Sequence, residues 1–217
     1  ITADEHYWVE ERIPKYWNAW AEGKWRNTLI NDKPGVSLAL VSGPALLLHE
    51  STSLDCEEKT GWYRNCDPKD SSALYASFRV PILLMNALLL ILIFFSIRAF
   101  SGFFVAALAT GLIAISPHLL GMSQIVNPDS LLWSAGSGAI FSFLAFLKTA
   151  KRPFAYFAIA TLTLALLSKY TALILVFFLP VILLLIRTYE PFFSPLSPGE
   201  KVRWLLRISF LPFFIFA

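Results

Sequence analysis

From Val80 onward the chain is built of long apolar runs, whereas before that point apolar residues are interleaved with charge. The runs Val80 to Ile97, Phe103 to Pro117, Leu131 to Leu147, Phe154 to Leu167 and Tyr170 to Ile186 follow one another, and another begins at Trp204. About 20 apolar residues, at about 1.5 Å each, cross a bilayer core. The pattern predicts five spanning helices and the start of a sixth, in an all-α, polytopic transmembrane bundle. Phe154 to Ile186 carries one charge, Lys169, and its length suits neither one span nor two. One helix of that length would reach roughly 50 Å against a core of about 30 Å, while two full spans need about 40 residues. Two short helices turning at Ser168 and Lys169 satisfy both limits, and such a turn at membrane depth must be enclosed by protein or line a wet cavity.

Before the runs, Tyr7, Trp8, Tyr16, Trp17, Trp20 and Trp25 alternate with Glu10, Glu11, Lys15, Glu22, Lys24 and Arg26. Indole and phenol rings mixed with charge suit amphipathic helices lying along a membrane interface, with Pro14 expected to break or kink the segment and Gly23 to end it. The division that follows is residues 1–74 as a loop with juxtamembrane helices and residues 75–217 as the bundle. Ile1 follows no Met or signal-like segment, and Ala217 falls inside the apolar run from Ile208. The expectation is a fragment, with at least one spanning helix before it and more after it.

Composition sharpens this picture. The 217 residues are 56% hydrophobic and 15% charged, which makes water an unlikely main solvent. Residues 1–74 hold eight Lys and Arg against twelve Asp and Glu, and the remainder holds ten against three. An acidic head before an apolar body with basic connections indicates a membrane surface, and no basic tract points to nucleic acid. Arg98, then Lys148, Lys151 and Arg152, then Arg187, Lys201, Arg203 and Arg207 fall in alternate connections, which the positive-inside rule makes cytoplasmic. The head, the segment Leu119 to Asp129 and the turn at Lys169 are then extracytoplasmic, in an integral protein of the plasma or inner membrane. Cys56 and Cys66, the two cysteines, share the head on the oxidising side, where a disulfide is expected in preference to a metal site.

This topology puts Asp4, Glu5, His6, Asp32, Lys33, Arg79, His118, Asp129 and Lys169 on or near one side. Ionisable groups gathered at one face of a membrane domain define a candidate site. Each also has a plainer role: Asp129 as the cap of the third span, Arg79 and Lys169 as cations snorkelling to headgroups, His118 as a hydrogen-bonder at a helix end, and Asp4 and Glu5 as a solvated helix start.

Several of these segments carry a resemblance. Thr2-Ala3-Asp4-Glu5-His6-Tyr7-Trp8, Ala21-Glu22-Gly23-Lys24-Trp25 and Asp32-Lys33-Pro34-Gly35-Val36 resemble the first extracytoplasmic loop of the GT-C glycosyltransferases. Within that superfamily the group of protein O-mannosyltransferases and lipid A aminoarabinose transferases is the most similar. Ser116-Pro117-His118, Asn127-Pro128-Asp129-Ser130-Leu131-Leu132 and Leu167-Ser168-Lys169-Tyr170-Thr171-Ala172 follow in the order of that family. Gly35 stands where the family often has a second Pro, and Lys33 where many members have His.

The resemblance implies inverting transfer of a sugar from a polyprenyl-phosphate donor, on the extracytoplasmic side, to a hydroxyl of a protein, lipid or glycan acceptor. It assigns catalysis to Asp4, as base, and Asp129. Contact with substrate and phosphate falls to Glu5, Lys33, Lys169 and Arg79, and a divalent metal, the one cofactor implied, to Asp32 and His118. The chemistry is coherent, because a carboxylate can take the acceptor's proton while a phosphate leaves without a general acid, its charge stabilised by cations. Two other classes remain open: an inactive scaffold or accessory subunit of a larger membrane complex, and a lipid transporter, for which the sequence shows no internal repeat.

Overall fold

Helices form where apolar runs predict them, and the computed structural model describes residues 3–28, 35–48, 68–187 and 195–215. Asp32, Lys33, Cys56 and Cys66 lie outside the described residues, so the expected disulfide and the Asp-Lys-Pro motif stay at the level of sequence. The described residues are helical without strands: α1 (Ala3–Tyr7), α2 (Ile13–Ala21), α3 (Val36–Ser42), α4 (Pro68–Ser101), α5 (Phe103–Ala114), α6 (Pro117–Ser123), α7 (Pro128–Thr149), α8 (Arg152–Ser168), α9 (Leu173–Arg187) and α10 (Pro198–Ile215).

The first segment is helical from Ala3 to Ala21, because a π-helical stretch, Trp8–Arg12, joins α1 to α2. Pro14 is expected to break or kink it. Instead Pro14 sits in the first turn of α2, where its missing N–H is tolerated, directly after the widened stretch. Gly23 does end the helix: at φ 68° it allows Lys24 N–H to reach Ala19 O and Gly23 N–H to reach Trp20 O. That pair of bonds is the Schellman closure, which glycine adopts without a Cβ penalty.

Two helices, Ser72–Ser101 within α4 and Pro128–Thr149, are long and apolar enough to cross a membrane. The expected second span is broken: Phe103–Ala114 and Pro117–Ser123 are bent by 61°, and together they make a third crossing if the bent pair counts as one. Pro117 explains the break, since it cannot donate to the preceding turn and biases Ser116 to an extended backbone, seen as ψ 120°. The fourth and fifth expected spans are the shorter helices Arg152–Ser168 and Tyr170–Leu185. They meet at Lys169, whose backbone is extended at φ −159° and ψ 144°, so the turn inferred from length lies at the expected residue.

Packing is densest between α7 and α8. Small residues bring them together: Ala135, Ala139 and Gly138 on α7 face Ala158, Thr161 and Ala165 on α8, and a Cβ on Gly138 would press on Thr161. A core of Phe143, Phe146, Leu162, Leu179 and Ile208 joins α7 to α10, and a second, of Trp8, Ile13, Leu38, Phe78 and Leu131, seals the N-terminal helices against α4 and α7.

Candidate functional site

One end of the bundle collects the starts of α1, α3 and α7 and the break between α8 and α9. Four contacts hold it together. Glu5, fully buried, receives two charge-assisted hydrogen bonds from Arg79, from Nε and Nη2, each 2.7 Å. The same carboxylate accepts the backbone N–H of Val126 at 3.2 Å, which ties α1 to the connection leading into α7. Three residues on, Asp129 receives Lys169 Nζ at 2.7 and 3.0 Å. The hydroxyls of Ser37 and Ser168 lie 2.7 Å apart in a buried contact, fixing α3 to the residue before Lys169.

Glu5 and Arg79 thus occupy each other, which is a positioning arrangement: a buried carboxylate repels an anion, and its guanidinium partner is already spoken for by a two-pronged bond. Arg79 is therefore not a lone cation reaching for headgroups. Asp129 and Lys169 are more open, at 26% and 42% side-chain exposure, so this pair can meet a ligand. Asp129 is not the cap of its helix. Asn127 takes that role, its Oδ1 accepting the Asp129 N–H at 2.9 Å, with Pro128 at the first helical position. Asp129 is left with its carboxylate directed to Lys169.

Asp4 belongs to α1, one residue before Glu5, which places its backbone at this end. Asp32 and Lys33 precede Gly35, and the backbone of Gly35 lies against the ring of Trp8 so closely that any Cβ would collide with it. The requirement for glycine there accounts for the departure from the Pro of related loops. His118 is exposed on α6, its ring edge-on to Trp133 at 5.9 Å. No three His, Cys, Asp or Glu side chains come together as a metal site among the described residues, His118 included.

Sequence reasoning missed a neighbouring cluster. His6 Nδ1 lies 2.7 Å from Glu10 Oε1 and 3.0 Å from the Tyr75 hydroxyl, which itself donates to Glu10 at 2.9 Å. The i, i+4 spacing of His6 and Glu10 was readable; Tyr75, 65 residues beyond Glu10, carried no local signal. A groove of about 280 Å³ lies between α7 and the segment that follows Lys169, lined by Leu132, Trp133, Gly136, Ile140, Thr171 and Leu175 among others. Its walls are almost wholly apolar.

An all-α membrane protein with an ion-paired cluster at one end and an apolar groove beside it is the class these features define. The sequence profile of the dolichyl-phosphate-mannose-protein mannosyltransferase family matches residues 73–197, more than half of the chain. The chain belongs to that family, and so carries a glycosyltransferase module of the GT-C superfamily. No curated protein and no solved structure matches it.

Proposed function

We propose that the module serves transfer of a sugar from a polyprenyl-phosphate donor to an acceptor hydroxyl, with inversion, on the extracytoplasmic side. The observation that carries this reading is Lys169, held by Asp129 at the break between two helices, with an apolar groove lined by residues that follow each member of the pair, Leu132 after Asp129 and Thr171 after Lys169. A lipid phosphate needs that combination: a cation for the head and an apolar channel for the isoprenoid. Two N–H···O contacts to Asp129 leave the ammonium a third proton for a phosphate oxygen, so binding need not break the pair.

In this reading Asp4 takes the acceptor's proton, Glu5 and Arg79 fix the helix that carries it, and Lys169 stabilises charge on the departing phosphate together with Lys33. Asp129 orients Lys169. A divalent metal would add charge stabilisation at the phosphate, with Asp32 as its acidic ligand. The head faces outward because the cations of Arg98, Lys148, Lys151 and Arg152 gather at the opposite ends of the helices.

The test is transfer from a radiolabelled polyprenyl-phosphate sugar by the full-length parent protein. Asp4→Asn keeps shape but removes the basic lone pair, and turnover should fall by about 10² to 10⁴ with donor binding retained. Lys169→Ala should weaken donor binding as well as turnover, because a cation on the phosphate already acts in the ground state. Wild-type turnover in Asp4→Asn would remove Asp4 from the mechanism, and no transfer by the unmodified parent protein would leave the chain as a scaffold.

A further inference from the structure

A second cavity lies in the crook of the bent α5 and α6 pair, closed by α4 and α7. At about 60 Å³ it is smaller than the groove that follows Lys169, and Trp133 and Ser137 line both. Its polar lining consists of Asn86, Ser123, Ser134 and Ser137, and no ionisable side chain lines it. Asn86 is the unusual member. It is 6% exposed, and neither its carboxamide oxygen nor its nitrogen has a hydrogen-bond partner in the structure.

A carboxamide deprived of all partners in an apolar interior is destabilising, and native proteins rarely leave one so. The serines do not satisfy it: Ser123 donates to Leu120 O at 2.9 Å and Ser134 leans toward Ser130 O at 3.4 Å, each back onto its own helix. Their hydroxyl oxygens keep acceptor capacity toward the cavity. Asn86 offers two donors and an acceptor, the serines offer acceptors, and nothing offers charge. An ion has no counter-charge here. A hydroxyl, which donates once and accepts twice, fits, and one water needs only about 10–15 Å³.

We propose that this crook is a binding site for an uncharged hydroxylic guest, water or the hydroxyl of a bilayer-dissolved alcohol, anchored by the carboxamide of Asn86. The guest sits beneath the break at Ser116, against Asn86, Ser123 and Ser134, none of which lines the groove proposed for the donor. Filled, the crook also gives the bent pair a polar floor, the condition under which a helix break is tolerated within a membrane.

The experiment uses full-length protein in phosphatidylcholine nanodiscs, labelled with ¹⁵N in its asparagine side chains. The Asn86 carboxamide is assigned by the resonance lost in Asn86→Leu. Magnetisation transfer to that carboxamide from water, in protonated buffer, supports a hydration site. Transfer from the C–H protons of octanol added as the probe alcohol, in protonated buffer and lost when perdeuterated octanol replaces it, identifies a bilayer alcohol as the guest. Transfer from neither overturns the proposal.

Thermal unfolding gives a second readout. A filled site loses its anchor in Asn86→Leu, lowering Tm by about 2–4 °C. A dry cavity predicts the reverse, since the substitution removes an orphaned amide, and a rise in Tm counts against the proposal. Should Asn86→Leu fail to fold, Ser134→Ala, which touches the crook and not the groove, provides the same comparison, with weakened transfer expected from a filled site and no transfer in either protein from an empty one.

Discussion

Glu5 and Arg79 carry the sharpest consequence at the scale of single residues. Removing one partner strands a buried charge, so Arg79→Met should destabilise the protein by about 3 kcal/mol, whereas the joint replacement Glu5→Leu with Arg79→Met should recover most of that loss. Thermal melts of the two variants decide it, and additive losses would mean that the pair is not the coupled unit described. Asn127 and Asp129 separate in the same way. Asn127→Ala should lower stability by about 1 kcal/mol with transfer retained, and Asp129→Ala should lower transfer with little change in melting. The sequence could not assign these two roles, because both residue types cap helices and both flank Pro128. The Glu5 and Arg79 pair was equally hidden: partners 74 positions apart leave no periodic trace, and in the sequence alone the one reads as a solvated helix start and the other as a snorkelling cation.

Among the elements, legibility followed physical cause. The break at Lys169 was readable because length arithmetic forbids both alternatives, and the end at Gly23 because only a residue without Cβ takes the left-handed turn easily. The continuity of the first helix through Pro14 was not, since a π-helical stretch is an adjustment that no residue pattern announces. Ala150 offers a further test at this level. It closes α7 in the left-handed region at φ 54°, with its N–H on Phe146 O at 2.8 Å, and an alanine there is strained. Ala150→Gly should raise stability by about 0.5–1 kcal/mol, read from Tm. At the start of α10, Ser197 and Glu200 form a reciprocal cap, the Glu200 carboxylate accepting from Ser197 N–H at 3.0 Å and Oγ at 2.8 Å. These bonds hold the Glu200 carboxyl below the usual carboxylate range. With the folded pKa lower than the unfolded one, the cap supports the helix above the usual carboxylate pKa and fails as pH falls through the lowered value. Hydrogen exchange at Lys201, corrected for intrinsic rates, should show the first turn opening on acidification, and Ser197→Ala should flatten that dependence.

For the whole molecule the decisive measurement is sidedness. A cysteine introduced at Lys24, in the exposed turn after α2, should react with a membrane-impermeant reagent in intact cells, and one at Ala150 should not; the reverse pattern would remove the case for an extracytoplasmic site. Whichever way the chain faces, the Ser37 and Ser168 contact has a consequence for how the protein is made. The two hydroxyls are 131 residues apart, and at about 5–20 residues per second a ribosome takes roughly 7–26 s to add the second after the first. Through most of that interval α3 has been synthesised and Leu38 and Ala39 already have Trp8, Ile13, Leu74 and Phe78 to pack against, while the Ser37 hydroxyl still lacks Ser168. The polar latch on the N-terminal helices therefore closes after their apolar packing has formed, and a nascent protein halted before α8 has the core of the head without its latch.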